Sequence, residues 1–119
     1  MAKTNFYTDG LPNEAKQLLE AIGQNFAVAR KRRRWRMSDA AERVECTRQT
    51  VAHMENGDPS VAMGAWLKYA FAMDLLDGFS EICNPDKDKK GQLLDKESRA
   101  NLKRVREKRE QEPDFTMSP

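Results

Sequence analysis

Large apolar residues concentrate between positions 13 and 83, while residues 1–12 and 84–119 are polar. The pattern therefore places one core domain at 13–83, between a flexible N-terminus and a charged C-terminal tail. Within the core, Leu18, Ile22, Phe26, Ala29 and Arg33 recur at spacings of 4, 4, 3 and 4, the period of a helix face, and Asn13 stands where an N-cap belongs. Met37, Ala40, Ala41 and Val44 give a second, short helix whose small side chains let another helix approach closely. After three residues a third begins at the capping Thr47 and stops at Gly57, with Pro59 just beyond. Its inward face is narrow, Val51 and Met54, which leaves Arg48, Gln49, Ala52, His53 and Asn56 outside. A helix with so little apolar surface displays polar groups. A fourth helix, starting at Val61 or Met63, carries Met63, Trp66, Leu67, Ala70, Phe71 and Met73, and a fifth, Leu76 to Cys83, carries Leu76, Phe79 and Ile82. The expected fold class is all-α, with five helices.

Length and composition narrow the function classes. A chain of 119 residues with this hydrophobic content fits one small domain plus tails and excludes a multidomain enzyme. The longest apolar stretch, Trp66 to Leu76, is interrupted by Lys68 and Asp74 and is far shorter than the ~20 residues a membrane helix needs. The first residues lack the apolar segment of a secretory signal, so the expected compartment is the cytoplasm. Cys46 and Cys83 lie 37 positions apart and His53 is the only histidine, so neither a metal site nor a disulfide framework is expected, and no cofactor. Carboxylates are plentiful but form no motif with a nucleophile or a phosphate-binding glycine loop, which argues against an enzyme.

Charge is unevenly spread. The formal net charge of +2 is made of −1 over residues 1–29, +6 over 30–36, −5 over 37–81 and +2 over 82–119. The block Arg30, Lys31, Arg32, Arg33, Arg34, Trp35, Arg36 concentrates positive charge suited to phosphate. Taken alone, the same block also reads as a solvated helix end complementing the negative pole of the helix dipole.

A short helix, a tight turn and a second, polar helix are the ingredients of a helix-turn-helix, whose second helix lies in the major groove of DNA. The stretch from Trp35 to Leu76, and above all TRQTVAHMENG at Thr47–Gly57, resembles the phage-repressor and xenobiotic-response-element family of helix-turn-helix regulators. The resemblance covers residues 30 to 76 and implies a lambda-repressor-like fold. The GDPSV run at Gly57–Val61, the apolar fourth helix, the Asn84-Pro85-Asp86 segment and the basic Arg104-Val105-Arg106 are similar to HipB-type antitoxins, the partners of HipA-like kinase toxins. Two positions depart from the family pattern. Glu45 stands in the turn where glycine is usual, which costs on the order of 1 kcal/mol if the backbone there is left-handed. Arg36 stands where Ser or Thr usually caps the second helix, so that cap is missing or is supplied by Ser38.

The resemblance implies base reading by Arg48 and Gln49. Arginine can donate two hydrogen bonds to guanine and glutamine can pair with adenine, each worth ~1–3 kcal/mol of discrimination. Thr50 and His53 adjoin them and are expected to tune the preference. Arg30, Lys31, Arg33, Arg34, Arg36, Thr47 and Asn56 are the expected phosphate contacts. The residues alone leave alternatives open: Arg48 paired with Glu45 or Glu42, His53 as a solvated surface residue, Trp35 packed against the domain. Glu55 reads as an internal brace.

One such module reads too few base pairs for genomic selectivity, so a homodimer on a palindromic operator is expected, with Phe71, Met73, Leu75, Leu76, Phe79 and Ile82 as interface candidates or as core. The tail, with Leu93, Leu94, Leu102 and Val105 among many charges, reads either as a helix from Gln92 to Glu110 or as a disordered arm that orders on a partner. The resemblance implies a HipA-like kinase as that partner. The functional expectation is thus a DNA-binding transcriptional autorepressor and antitoxin; a stand-alone phage-type repressor and a toxin-neutralising protein with secondary DNA binding are the alternatives.

Overall fold

A computed structural model describes residues 9–111, and among these the secondary structure is entirely helical. The chain divides between Ser80 and Glu81 into two compact units. The first holds α1 (Asn13–Arg32), α2 (Met37–Val44), α3 (Arg48–Glu55) and α4 (Met63–Ala72), and the second holds α5 (Lys89–Gln111). Residues 1–8 and 112–119, which include most of the N-terminal segment expected to be flexible and the end of the charged tail, lie outside the described residues.

The core of the first unit is Phe26 and Ala29 of α1, Ala40, Ala41 and Val44 of α2, Val51 and Met54 of α3, and Trp66, Tyr69, Ala70 and, just past the helix, Met73 of the α4 segment. The face that α1 buries is rotated from the expected one. Leu19, Ile22, Gly23, Phe26, Ala29 and Arg30 face inward, and Leu18 is exposed. Aromatic rings close the centre, with Phe26 stacked on Tyr69 at 4.7 Å and tilted against Trp66 at 5.8 Å. The expected fifth helix at Leu76–Cys83 is instead a 3-10 helix at Leu76–Glu81. Only Phe79 in that segment packs on the core, its ring 6.4 Å from Phe26, and Gly78 weakens the helical alternative.

Each of α1 to α4 ends in the same way. A left-handed residue follows the helix and the next N–H reaches back to a carbonyl of the last turn: Trp35 to Arg30 at 3.2 Å, Cys46 to Ala41 at 3.0 Å, Asp58 to His53 at 3.0 Å and Leu75 to Ala70 at 2.8 Å. Only α3 uses glycine for the left-handed position, Gly57; the other three use Arg34, Glu45 and Asp74. The turn between α2 and α3 therefore keeps the left-handed geometry that Glu45 makes costly, by about 1 kcal/mol relative to glycine.

In the second unit, the Asp88 carboxylate caps the start of α5, accepting from the Gly91 N–H at 2.9 Å, and Gln92 Nε2 donates to the Pro85 carbonyl at 2.8 Å. The tail between Lys89 and Gln111 is thus helical.

Candidate nucleic-acid interface

The display helix α3 is built from its sequence in a simple order. Thr47 Oγ1 accepts from the Thr50 N–H at 3.1 Å and lies 2.9 Å from Thr50 Oγ1, which fixes the first turn. Val51, Met54 and Glu55 then turn inward. Gln49, His53 and Asn56 are exposed and central on the opposite face, Ala52 is half-buried beside them, and exposed Arg48 and half-buried Thr50 flank that face. Among the described residues neither the Arg48 nor the Gln49 side chain has a hydrogen-bond or ion-pair partner. Glu45, one expected alternative partner of Arg48, instead approaches Lys68 at 3.8 Å.

The C-terminal end of α3 is clamped against α1. A Cβ on Gly23 would lie 2.6 Å from the backbone oxygens of both Met54 and Glu55, and one on Gly57 would lie 2.6 Å from the Glu20 nitrogen. The two backbones therefore meet through glycine at both places. A buried polar network adds direction. Arg30 Nε and Nη2 donate to the two Glu55 carboxylate oxygens at 2.8 and 3.1 Å, Arg30 Nη1 donates to the Trp35 carbonyl at 2.9 Å, and the Tyr69 hydroxyl donates to Glu55 Oε2 at 2.7 Å. Arg30 and Glu55 are only 8% and 9% exposed, and no buried side-chain polar atom among the described residues lacks a partner. Donating hydrogen bonds to the Glu55 carboxylate raises the pKa of the Arg30 guanidinium and keeps it charged. Burial first, then the Glu55 hydrogen bond, pushes the Tyr69 hydroxyl well above its ordinary range.

This network corrects one expected phosphate contact. Arg30 belongs to the interior, where its charge is matched by Glu55, and is not available to a ligand. Arg33 is also engaged, donating to the Ala29 carbonyl at 2.9 Å and to the Met73 carbonyl at 2.7 Å, so it ties the ends of α1 and α4 together. Lys31, Arg34 and Arg36 of the expected set, with Arg32, remain exposed. Arg36 approaches Asp39 at 3.5 Å on the surface, a pairing too exposed to hold it strongly. At the start of α2 the side-chain cap is missing, the first of the two expected outcomes, because an arginine has no acceptor; Ser38 does not replace it, and the Asp39 carboxylate instead takes the Arg36 N–H at 2.8 Å. That bond holds the Asp39 carboxyl below the usual carboxylate range.

His53 is exposed on the outer face with Nδ1 3.7 Å from Asp58 Oδ2. Asp58 in turn accepts from the Ser60 hydroxyl at 2.7 Å and the Ser60 N–H at 2.8 Å, which lowers its pKa. Trp35 is half-buried against the core with the Arg43 guanidinium 4.3 Å above its ring.

The interface candidates separate into three groups. Met73 is 1% exposed and is a core residue, and Phe79 is half-buried on the core rim, so both leave the expected set. Phe71, 74% exposed, and Leu76 line one apolar groove with Leu67 and Ala72, rimmed by Arg43, Glu45 and Lys68, while Leu75 is exposed. Ile82 is exposed in the second unit. The sequence reading missed the Arg30, Glu55, Tyr69 network as a unit. Its signal was present, since Arg30 sits four residues after Phe26 and seven after Gly23 on the inward stripe of α1. No family model, curated protein or solved structure matches this chain.

Proposed function

We propose that this chain is a sequence-specific DNA-binding transcriptional autorepressor and the antitoxin of a HipA/HipB-like toxin–antitoxin system. It acts in the cytoplasm as a homodimer on a palindromic operator. The observation that carries the reading is α3. It is a short helix whose outer face holds Gln49 and His53 with exposed Arg48 at its edge, the Arg48 and Gln49 side chains unengaged, while its inner face is fixed to α1 by Gly23, Gly57 and the Glu55 carboxylate. A rigid mount behind a polar face suits a reader of base edges, because each bidentate contact depends on placement within fractions of an ångström. Lys31, Arg32, Arg34 and Arg36 supply sequence-independent attraction to phosphate. The exposed groove around Phe71 supports self-association, and the resemblance to HipB-type antitoxins supports a kinase toxin as protein partner. None of these residues performs covalent chemistry in this reading.

The test is a titration of the purified chain against DNA from its own upstream region, with and without the neighbouring gene product. Specific binding altered by that product is the expected result. Specific binding indifferent to it points to a stand-alone repressor, and binding to the product without any DNA preference points to toxin neutralisation alone. Arg48→Ala and Gln49→Ala should each weaken the preferred site by ~1–3 kcal/mol relative to random duplex. Equal loss on both DNAs would remove these residues from base reading.

A further inference from the structure

The functional reading of α3 leaves α5 unused, yet this helix carries the densest run of charge outside residues 30–36. It holds nine cationic residues against four acidic ones. At about 100° per residue, Lys96, Arg99, Lys103 and Arg106 fall within about 80° of one another, as a ladder spaced 3, 4 and 3 along one face. Leu94, Ser98, Leu102 and Val105 occupy a separate face. All four ladder residues are exposed. Two make contacts along the helix, Arg99 Nε to Asp95 at 3.2 Å and Lys103 Nζ to Glu107 at 3.9 Å, but both pairs lie in solvent and exchange readily for a stronger anion. Glu110 ends the ladder one turn beyond Arg106.

The geometry points to α5 as a second DNA contact, in which the Lys96, Arg99, Lys103, Arg106 ladder binds the phosphate backbone of duplex DNA. This rests on the DNA-binding reading and extends its footprint to a separate unit of the chain. The ladder rises about 15 Å from Lys96 to Arg106. Over that length one strand of B-form DNA presents about four phosphates. A membrane surface fits less well, because the apolar face of α5 offers two leucines and one valine interrupted by Ser98, and the helix has no aromatic residue to seat in a lipid interface. The apolar face stays available to a protein partner while the cationic face holds DNA, so one helix can connect the two.

The experiment measures binding of the full chain to random-sequence duplex between about 50 and 200 mM salt. The parent is compared with the ladder variant Lys96→Gln, Arg99→Gln, Lys103→Gln, Arg106→Gln and with an off-ladder variant, Lys90→Gln, Arg104→Gln, Lys108→Gln. Circular dichroism establishes that each retains its helix. Four lost phosphate contacts should reduce the slope of log affinity against log salt by about 3 to 4, with at least a tenfold loss of affinity at the low-salt end, and the off-ladder variant should change the slope by less than about 1. An unchanged slope in the ladder variant, equal losses in both variants, or no binding of random duplex by the parent overturns the proposal. So does ladder-dependent binding to phosphatidylserine-rich vesicles with an unchanged DNA slope. Failure of the α3 reading looks different: the slope still falls in the ladder variant, but the parent shows no preference for its upstream DNA over random duplex.

Discussion

The two ends of α3 are held by different physics. At its C-terminal end, backbone meets backbone through Gly23 and Gly57, and Glu55 accepts three hydrogen bonds from Arg30 and Tyr69 in the interior. At its N-terminal end a single hydroxyl, that of Thr47, holds the first turn, and Arg48 and Gln49 project into solvent. A helix anchored at one end and open at the other keeps its axis while its leading side chains stay free to meet a ligand. The anchored end thus governs stability and, in the proposed function, the open end governs recognition, and substitutions should separate the two.

The largest effect should come from Glu55→Ala, which strands the Arg30 charge in the interior. Breaking a buried pair from one side costs about 3–5 kcal/mol, so thermal unfolding should shift down by well over 10 °C in a domain of this size. Next is Gly23→Ala. On an exposed helix this change would gain about 1 kcal/mol. Here the new methyl meets two backbone oxygens that cannot swing aside, so the sign reverses to a net loss of about 1–3 kcal/mol in denaturant unfolding. A gain would show that α1 and α3 are not in backbone contact.

Tyr69→Phe removes one donor from Glu55 but leaves the two from Arg30, and should cost about 1–2 kcal/mol at neutral pH. Its pH dependence is diagnostic. Burial and Glu55 raise the folded pKa of Tyr69 above the unfolded value of about 10, so the stabilisation is complete below pH ~10 and is lost as the pH rises above it and the unfolded chain ionises. The gap between parent and Phe variant should therefore narrow above pH ~10; a constant gap would place the hydroxyl outside the network. The smallest effect belongs to the open end, where Thr47→Ala should cost about 1 kcal/mol by loss of the cap. A loss as large as that of Gly23→Ala would erase the distinction between the ends.

Much of this was legible from the sequence where local chemistry decides the outcome. Thr47 and Gly57 bracket α3, and Met37, Ala40, Ala41 and Val44 mark α2, because caps and small-residue periodicity act over a few residues. Where tertiary packing decides, the pattern was ambiguous. Helix α4 is apolar on nearly every side, so periodicity could not tell that Tyr69 and Met73 are buried while Phe71 is exposed. Leu18 and Leu19 both fit a helical repeat, and only packing against the assembled core selects Leu19. Arg30 was hidden among five other cations in a run that reads as solvated, although its matching carboxylate, Glu55, stood beside Met54 on the inward side of α3. A charge is legible as buried only when its counter-charge is sought 25 residues away. The segment at Leu76–Glu81 lacked both a cap and a continuous stripe, and it folds as the tighter 3-10 helix.

The glycine contacts behind α3 also bear on how such a chain can diversify. With Gly23 and Gly57 setting the depth and angle of the helix from behind, the outward positions 48, 49 and 53 carry no part of the packing. If α3 reads DNA as proposed, lineages that exchange those side chains would change the sequence they recognise in single steps while keeping the same melting temperature, so recognition would be free to drift much faster than the fold that supports it.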